Sequence, residues 1–165
     1  MWNELVLLGI LLTLLLSLLL TGIMIAIGLS NRRYLHLSDL EGVSKFQKFL
    51  SSFYNRLTRL EWVVIVAFCL CGFLSYHRPY SAISLFVAAG VLAIGRTMAI
   101  KRLHPINKQA VSWTSNYIPG KWRYLRDKWF SIHWLRTLIC IISLLLVLIS
   151  LYLTVASWAS ANEYY

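Results

Sequence analysis

Acidic residues are what this chain has least of. Six Asp and Glu stand against sixteen Lys and Arg in 165 residues, for a net charge of +10. So few carboxylates leave no acidic metal cluster. The G-x-S-x-G, H-E-x-x-H and glycine-rich phosphate-loop patterns are also absent. That removes the usual signatures of serine hydrolases, zinc proteases and nucleotide-binding enzymes. Cysteine is scarce as well, and Cys69, Cys71 and Cys140 all fall inside apolar runs. They outline no disulfide framework, and they read as small buried apolar groups rather than metal ligands. The four histidines, His36, His77, His104 and His133, offer no pair at matched depth on facing helices of the kind a b-type haem needs. No metal and no cofactor is expected.

What the chain does have is apolar length. Mean hydropathy is +0.67 and 59% of residues are hydrophobic. A helix needs about 20 predominantly apolar residues to cross about 30 Å of hydrocarbon. Four stretches answer, at about residues 5–29, 62–77, 80–100 and 135–158. Sheet is excluded as the spanning structure, because an open strand edge finds no hydrogen-bond partner in lipid. The expected fold is therefore all-α: a single integral membrane four-helix bundle. The first run has no basic segment before it and is too long for a signal peptide, so it is expected to stay as a span.

The basic charge is distributed by side. With four spans, residues 30–61 and 101–132 lie on the same side of the membrane. They hold Arg32, Arg33, Lys45, Lys48, Arg56 and Arg59, then Lys101, Arg102, Lys108, Lys121, Arg123, Arg126 and Lys128. The opposite side offers Arg78 alone. This bias predicts cytoplasmic loops and outside termini in a plasma membrane, or an inner membrane in a bacterium. The lipid bilayer is thus the first partner, and nucleic acid is not expected.

Between the spans, residues 38–60 carry an apolar stripe: Val43, Phe46, Leu50, Phe53, Leu57 and Leu60 step by three and four. Ser38 and Glu41 form an S-x-x-E capping box at its start. This predicts an amphipathic cytoplasmic helix that runs on into the second span. The link HRPYS at 77–81 is so short that the second and third spans must form an antiparallel hairpin. Residues 101–120, punctuated by Pro105 and Pro119-Gly120, read as an irregular cytoplasmic loop. From Lys121 no breaker intervenes until about Ala159. The second and fourth helices should therefore extend beyond the bilayer into the cytoplasm.

The start of the last helix, WRYLRDKWFSIHWLR, concentrates polar and aromatic residues where the fourth span begins. Trp122, Arg126, Trp129, His133, Arg136 and Cys140 step by four, three, four, three and four, which is one stripe of a helix. On the third span Ala89, Ala93, Arg96 and Ile100 share a face, and small residues there favour close packing. Glu61 and Arg96 end their own spans at similar depth. Glu61, Arg96, His133 and Arg136 are therefore candidates for one polar cluster at the cytoplasmic mouth. Interfacial Trp and Arg also serve any span as an anchor, so anchor and site both stand as readings.

The run HPINKQAVSWTSNYIPGKWRYLRDKWFSIHWLRTLICIISLLLVL resembles the closing half of the anthrone-oxygenase-like family of small four-span membrane proteins. The matching pattern is Pro105 and Asn107 after the third span, then Trp122 and Arg126, then Trp129, His133 and Arg136 before the last span. The resemblance implies a cofactor-independent oxygenase that converts an anthrone to an anthraquinone with molecular oxygen. It implies His133 as base, Arg136 and Arg96 as stabilisers of the resulting anion, and Trp122 and Trp129 as stacking surfaces for a flat aromatic substrate. Arg126 and Asn107, from the matching pattern, and Glu61, from the polar cluster, complete the candidate binding set. The competing reading is a non-enzymatic accessory or assembly subunit of a larger membrane complex. Besides lipid and a hydrophobic aromatic substrate, the partners to consider are such a complex or further copies of the chain in a homo-oligomer. A transporter is disfavoured, because polar residues are nearly absent from mid-span and no inverted repeat is visible.

Overall fold

In lipid a peptide group must find its hydrogen bond within its own segment, and long apolar runs do so as helices. The structure, a computed structural model, describes residues 2–34, 40–112 and 120–162, with side chains over 2–30, 56–109, 112 and 120–160. The helices are α1 (Trp2–Tyr34), α2 (Leu40–Leu74), α3 (Pro79–Met98), α4 (His104–Val111) and α5 (Trp122–Asn162). A π turn, Ala99–Leu103, joins α3 to α4. The described residues contain no strand. Four helical stretches are long and apolar enough to cross a membrane: Trp2–Ser30, Arg56–Leu74, Pro79–Gln109 and Trp122–Ser160. Leu8, Leu15, Leu70, Phe73, Ile83 and Ile94 are among many large apolar side chains left exposed on the outer face. A soluble monomer rarely shows such a surface, whereas a bilayer covers it.

α1, α2, α3 and α5 form a ring in which each helix packs on two neighbours. Arg78, in the α2–α3 turn, donates to Asn3 Oδ1 at 3.1 Å and lies over the Trp158 ring. Both ends of the described chain therefore meet that turn at one end of the bundle. α2 runs unbroken through Leu60–Trp62, as expected. The side chains of Val43, Phe46, Leu50 and Phe53, the Ser38–Glu41 box and His36 lie outside the described residues. Leu57, the next member of the stripe, is buried. Pro79 opens α3 at a first-turn position, where its missing N–H costs nothing.

One expectation is corrected. Residues 101–111 are not an irregular loop, because the third helix continues through Pro105 to Val111. A proline inside a helix has no N–H for the carbonyl four residues back, and its ring crowds that carbonyl. Here that carbonyl belongs to Lys101. The chain accommodates the ring by widening the preceding turn, and the His104 N–H reaches the Ala99 carbonyl as an i→i−5 bond. Residues 113–119 lie outside the described residues.

Two further details differ from the sequence reading. Ile100 points outward, and the inner face of α3 includes Ala88, Ala89, Leu92 and Arg96, followed by Ala99 of the π turn. The α3–α5 seam is polar where almost no polar mid-span residue was expected. Ser81 Oγ lies 2.6 Å from Ser150 Oγ and 2.9 Å from Thr154 Oγ1. Ser84 donates to the Leu146 carbonyl, and Ser143 donates to that of Ala88. Small hydroxylated residues let two backbones approach closely and satisfy each other without water.

Candidate functional site

At the end of the bundle opposite the α2–α3 turn, all four spans contribute to one buried polar ladder. α2 supplies Glu61, which is 1% exposed. Its Oε1 accepts from Arg136 Nη2 of α5, and its Oε2 accepts from Arg96 Nη1 of α3 at 3.3 Å. The same Arg96 Nη1 donates to Thr58 Oγ1 at 3.0 Å, one turn before Glu61. One carboxylate thus holds two guanidinium groups that are themselves buried. Ion pairs of this kind are the usual way a charge is retained inside an apolar bundle.

The aromatic half sits alongside. His133 is 1% exposed, and its Nε2 lies 3.0 Å from the Met24 carbonyl of α1. A carbonyl only accepts, so Nε2 carries the proton and Nδ1 is the basic position of the ring. The Met24 carbonyl is also the helical acceptor of the Gly28 N–H. Gly28 is tight against Trp134, since a Cβ there would stand 3.0 Å from the Trp134 ring. That close approach brings α5 near enough for His133 to reach α1. The Trp129 ring stacks on His133 with centroids 4.9 Å apart and planes 6° from parallel. Trp129 Nε1 donates to Asn107 Oδ1 at 2.8 Å. Asn107 is on α4, and it reaches the ladder because the helix carries on past Pro105.

Glu61, Arg96, His133, Arg136, Trp129 and Asn107 are therefore brought together. Trp122 and Arg126 are not. They lie further out on α5, where Arg126 stacks over Trp122 at 4.9 Å and pairs with Asp127 at 3.0 Å. Cys140 continues the stripe inward and is buried. His104 is exposed on α4, whereas His133 is buried. Thr58 and the Met24 carbonyl are the partners that sequence reasoning missed. Thr58 lies one turn from Glu61, which is a usable signal, but a backbone carbonyl within a leucine-rich run gives none.

With His133 neutral the ladder holds one more positive charge than negative. Three of its buried donors, Arg96 Nε, Arg136 Nε and Asn107 Nδ2, meet no hydrogen-bond partner among the described residues. Buried polar atoms are nearly always satisfied, so such a set calls for a reason. Among the described residues no group of three His, Cys, Asp or Glu lies together in a way that could hold a metal ion. The chemistry the ladder can offer is fixed positive charge, one imidazole and stacking aromatic faces in a buried setting.

The fold and this ladder define an all-helical protein with four membrane-capable helices and a buried ionic cluster near one end. No family model, no curated protein and no solved structure matches the chain.

Proposed function

We propose that the protein is a multi-pass enzyme of the plasma membrane, or of the inner membrane in a bacterium. It would act on a hydrophobic aromatic small molecule in the manner of the cofactor-independent anthrone oxygenases that it resembles. The observation that carries the proposal is the surplus positive charge of the buried ladder with its three unpartnered donors. A dry, preorganised cationic site stabilises a developing enolate or phenolate. In this reading His133 Nδ1 takes a proton from an acidic C–H between two aryl rings. The carbanion passes electrons to oxygen, one oxygen atom becomes the new carbonyl and the other leaves as water. Arg96 and Arg136 hold the anion, and Trp129 lies along its flat face. Both basic segments face the cytoplasm, both termini lie outside, and the N-terminal parts of α2 and α5 extend into the cytoplasm.

The test is oxygen uptake by the purified protein in lipid nanodiscs with a hydroxylated anthrone. Uptake of one O2 per anthraquinone formed, lost in His133→Phe and Asn107→Leu while both variants remain folded and unfold cooperatively, supports it. A folded wild-type protein that never exceeds autoxidation overturns it. A second reading, an accessory subunit, is favoured by the 41 residues of α5, about 60 Å at the helical rise against about 30 Å of hydrocarbon. Mild extraction from native membranes separates the two: a stoichiometric partner chain supports the subunit, and a homo-oligomer or monomer supports the enzyme.

A further inference from the structure

Outside the ladder, the groove between α3–α4 and α5 combines charge with apolar length. Two cavities meet there, of about 350 and about 600 Å³, and they share Lys101 and Arg102. Lys128 of α5 completes the basic wall of the smaller one, over a floor that includes Pro105 and Leu125. The larger cavity runs from the same two cations along Ala93, Thr97 and Leu135. Its wall is apolar, because the Thr97 hydroxyl is bonded to the Ala93 carbonyl at 2.9 Å. The three cations have no carboxylate partner among the described residues. Glu61 is held by Arg96 and Arg136, Asp127 pairs with Arg126, and Glu4 is at the opposite end. The single π turn among the described residues carries Lys101 and Arg102. Such turns are frequent at functional sites.

We infer that this groove binds an anionic phospholipid, with its phosphate on Lys101, Arg102 and Lys128 and an acyl chain along Ala93, Thr97 and Leu135. A soluble anion would match the cations only. An uncharged lipid would match the apolar wall only. The junction of the two lies where the uncharged outer face of α3 gives way to Lys101, so the occupant is an amphiphile with an anionic head at headgroup depth. The inference is independent of any catalytic role for the ladder.

The test uses the full-length protein in phosphatidylcholine nanodiscs containing a minor fraction of phosphatidylglycerol. Native mass spectrometry counts the phosphatidylglycerol retained after transfer to detergent. Wild-type protein should retain it well above its bulk fraction. Lys101→Gln/Arg102→Gln/Lys128→Gln should lower retention at least tenfold, given about fivefold for each basic residue near an anionic surface. The charge-matched control Lys108→Gln/Lys121→Gln/Arg123→Gln should retain it. Thr97→Phe, at an exposed position, should lower retention with no change in charge. Equal losses in both triple variants mean diffuse surface attraction and overturn the site. Displacement by free glycerol phosphate at unchanged lipid-to-protein ratio also overturns it, because the headgroup anion alone would then suffice. A wild-type level equal to the bulk fraction does the same.

Discussion

Glu61 carries its charge at 1% exposure, and each of its oxygens faces a buried guanidinium. Removing one partner of a buried pair strands the others, which costs about 3–5 kcal/mol. Glu61→Leu should therefore lower stability in detergent by that order, measured by thermal or denaturant unfolding. The triple variant Glu61→Leu/Arg96→Leu/Arg136→Met should lose less than the single variant, because no charge is left stranded. A triple variant weaker than the single one would mean that the ladder stabilises the bundle in its own right. Trp129→Phe keeps the stack on His133 but removes the donor to Asn107 Oδ1. One neutral hydrogen bond is worth about 1 kcal/mol net, so a loss of that size is expected, and more if Asn107 is left wholly unsatisfied.

At the scale of the element, α1 inverts the pattern of a soluble helix. Its buried face is Val6, Ile10, Thr13, Ser17, Leu20, Met24 and Ile27, stepping by four and three, while Leu8, Leu12, Leu15 and Leu19 point outward. Lipid is as apolar as leucine, so leucines can face outward at no cost, while the hydroxyls of Thr13 and Ser17 are kept on the interior face among Val6, Ile10, Leu20, Met24 and Ile27. Ser17 satisfies itself on the Thr13 carbonyl at 2.6 Å. The α3–α5 contact obeys the same rule at Gly95, where a Cβ would stand 2.9 Å from Ile139 Cγ2. Gly95→Leu should separate the two helices and lower the unfolding temperature, and Ile139→Ala should restore part of the loss. If Gly95→Leu melts like wild type, the seam is not close-packed there. Pro105 sets the π turn, so Pro105→Ala should let α3 run into α4 as regular helix. That rotates Lys101 and Arg102 relative to Lys128, and retention of phosphatidylglycerol should fall although no charge has changed.

For the whole molecule, among the described residues, the basic side chains gather at one end and Arg78 stands alone among them at the other, beside Asn3 and Trp158. The positive-inside bias gives this asymmetry a direction. Single cysteines at Ser112 and Tyr80, in a background with the native thiols replaced, should be labelled by an impermeant reagent from opposite faces of sealed vesicles. Ser112 is expected on the cytoplasmic face, and the reverse pattern would overturn the proposed orientation. The ladder's polar atoms sit where four helices converge, on elements whose Val64, Phe68 and Ile132 are likewise buried.

Composition and periodicity alone determined that the protein is helical and how many of its helices can span a membrane. These properties depend on local hydrogen bonding and on transfer of side chains to lipid, which each segment settles for itself. The stripe on α5 likewise made Trp129, His133 and Arg136 legible as neighbours, since helical spacing is local. Only the tertiary structure decided which of them reach the interior. It left Trp122 and Arg126 outside and brought Asn107 in past a proline that reads as a break. It also gave Glu61 two arginines and His133 the carbonyl of Met24. These are contacts between segments far apart in the chain, set by how closely Gly28 and Gly95 let helices approach, and no single segment carries that information.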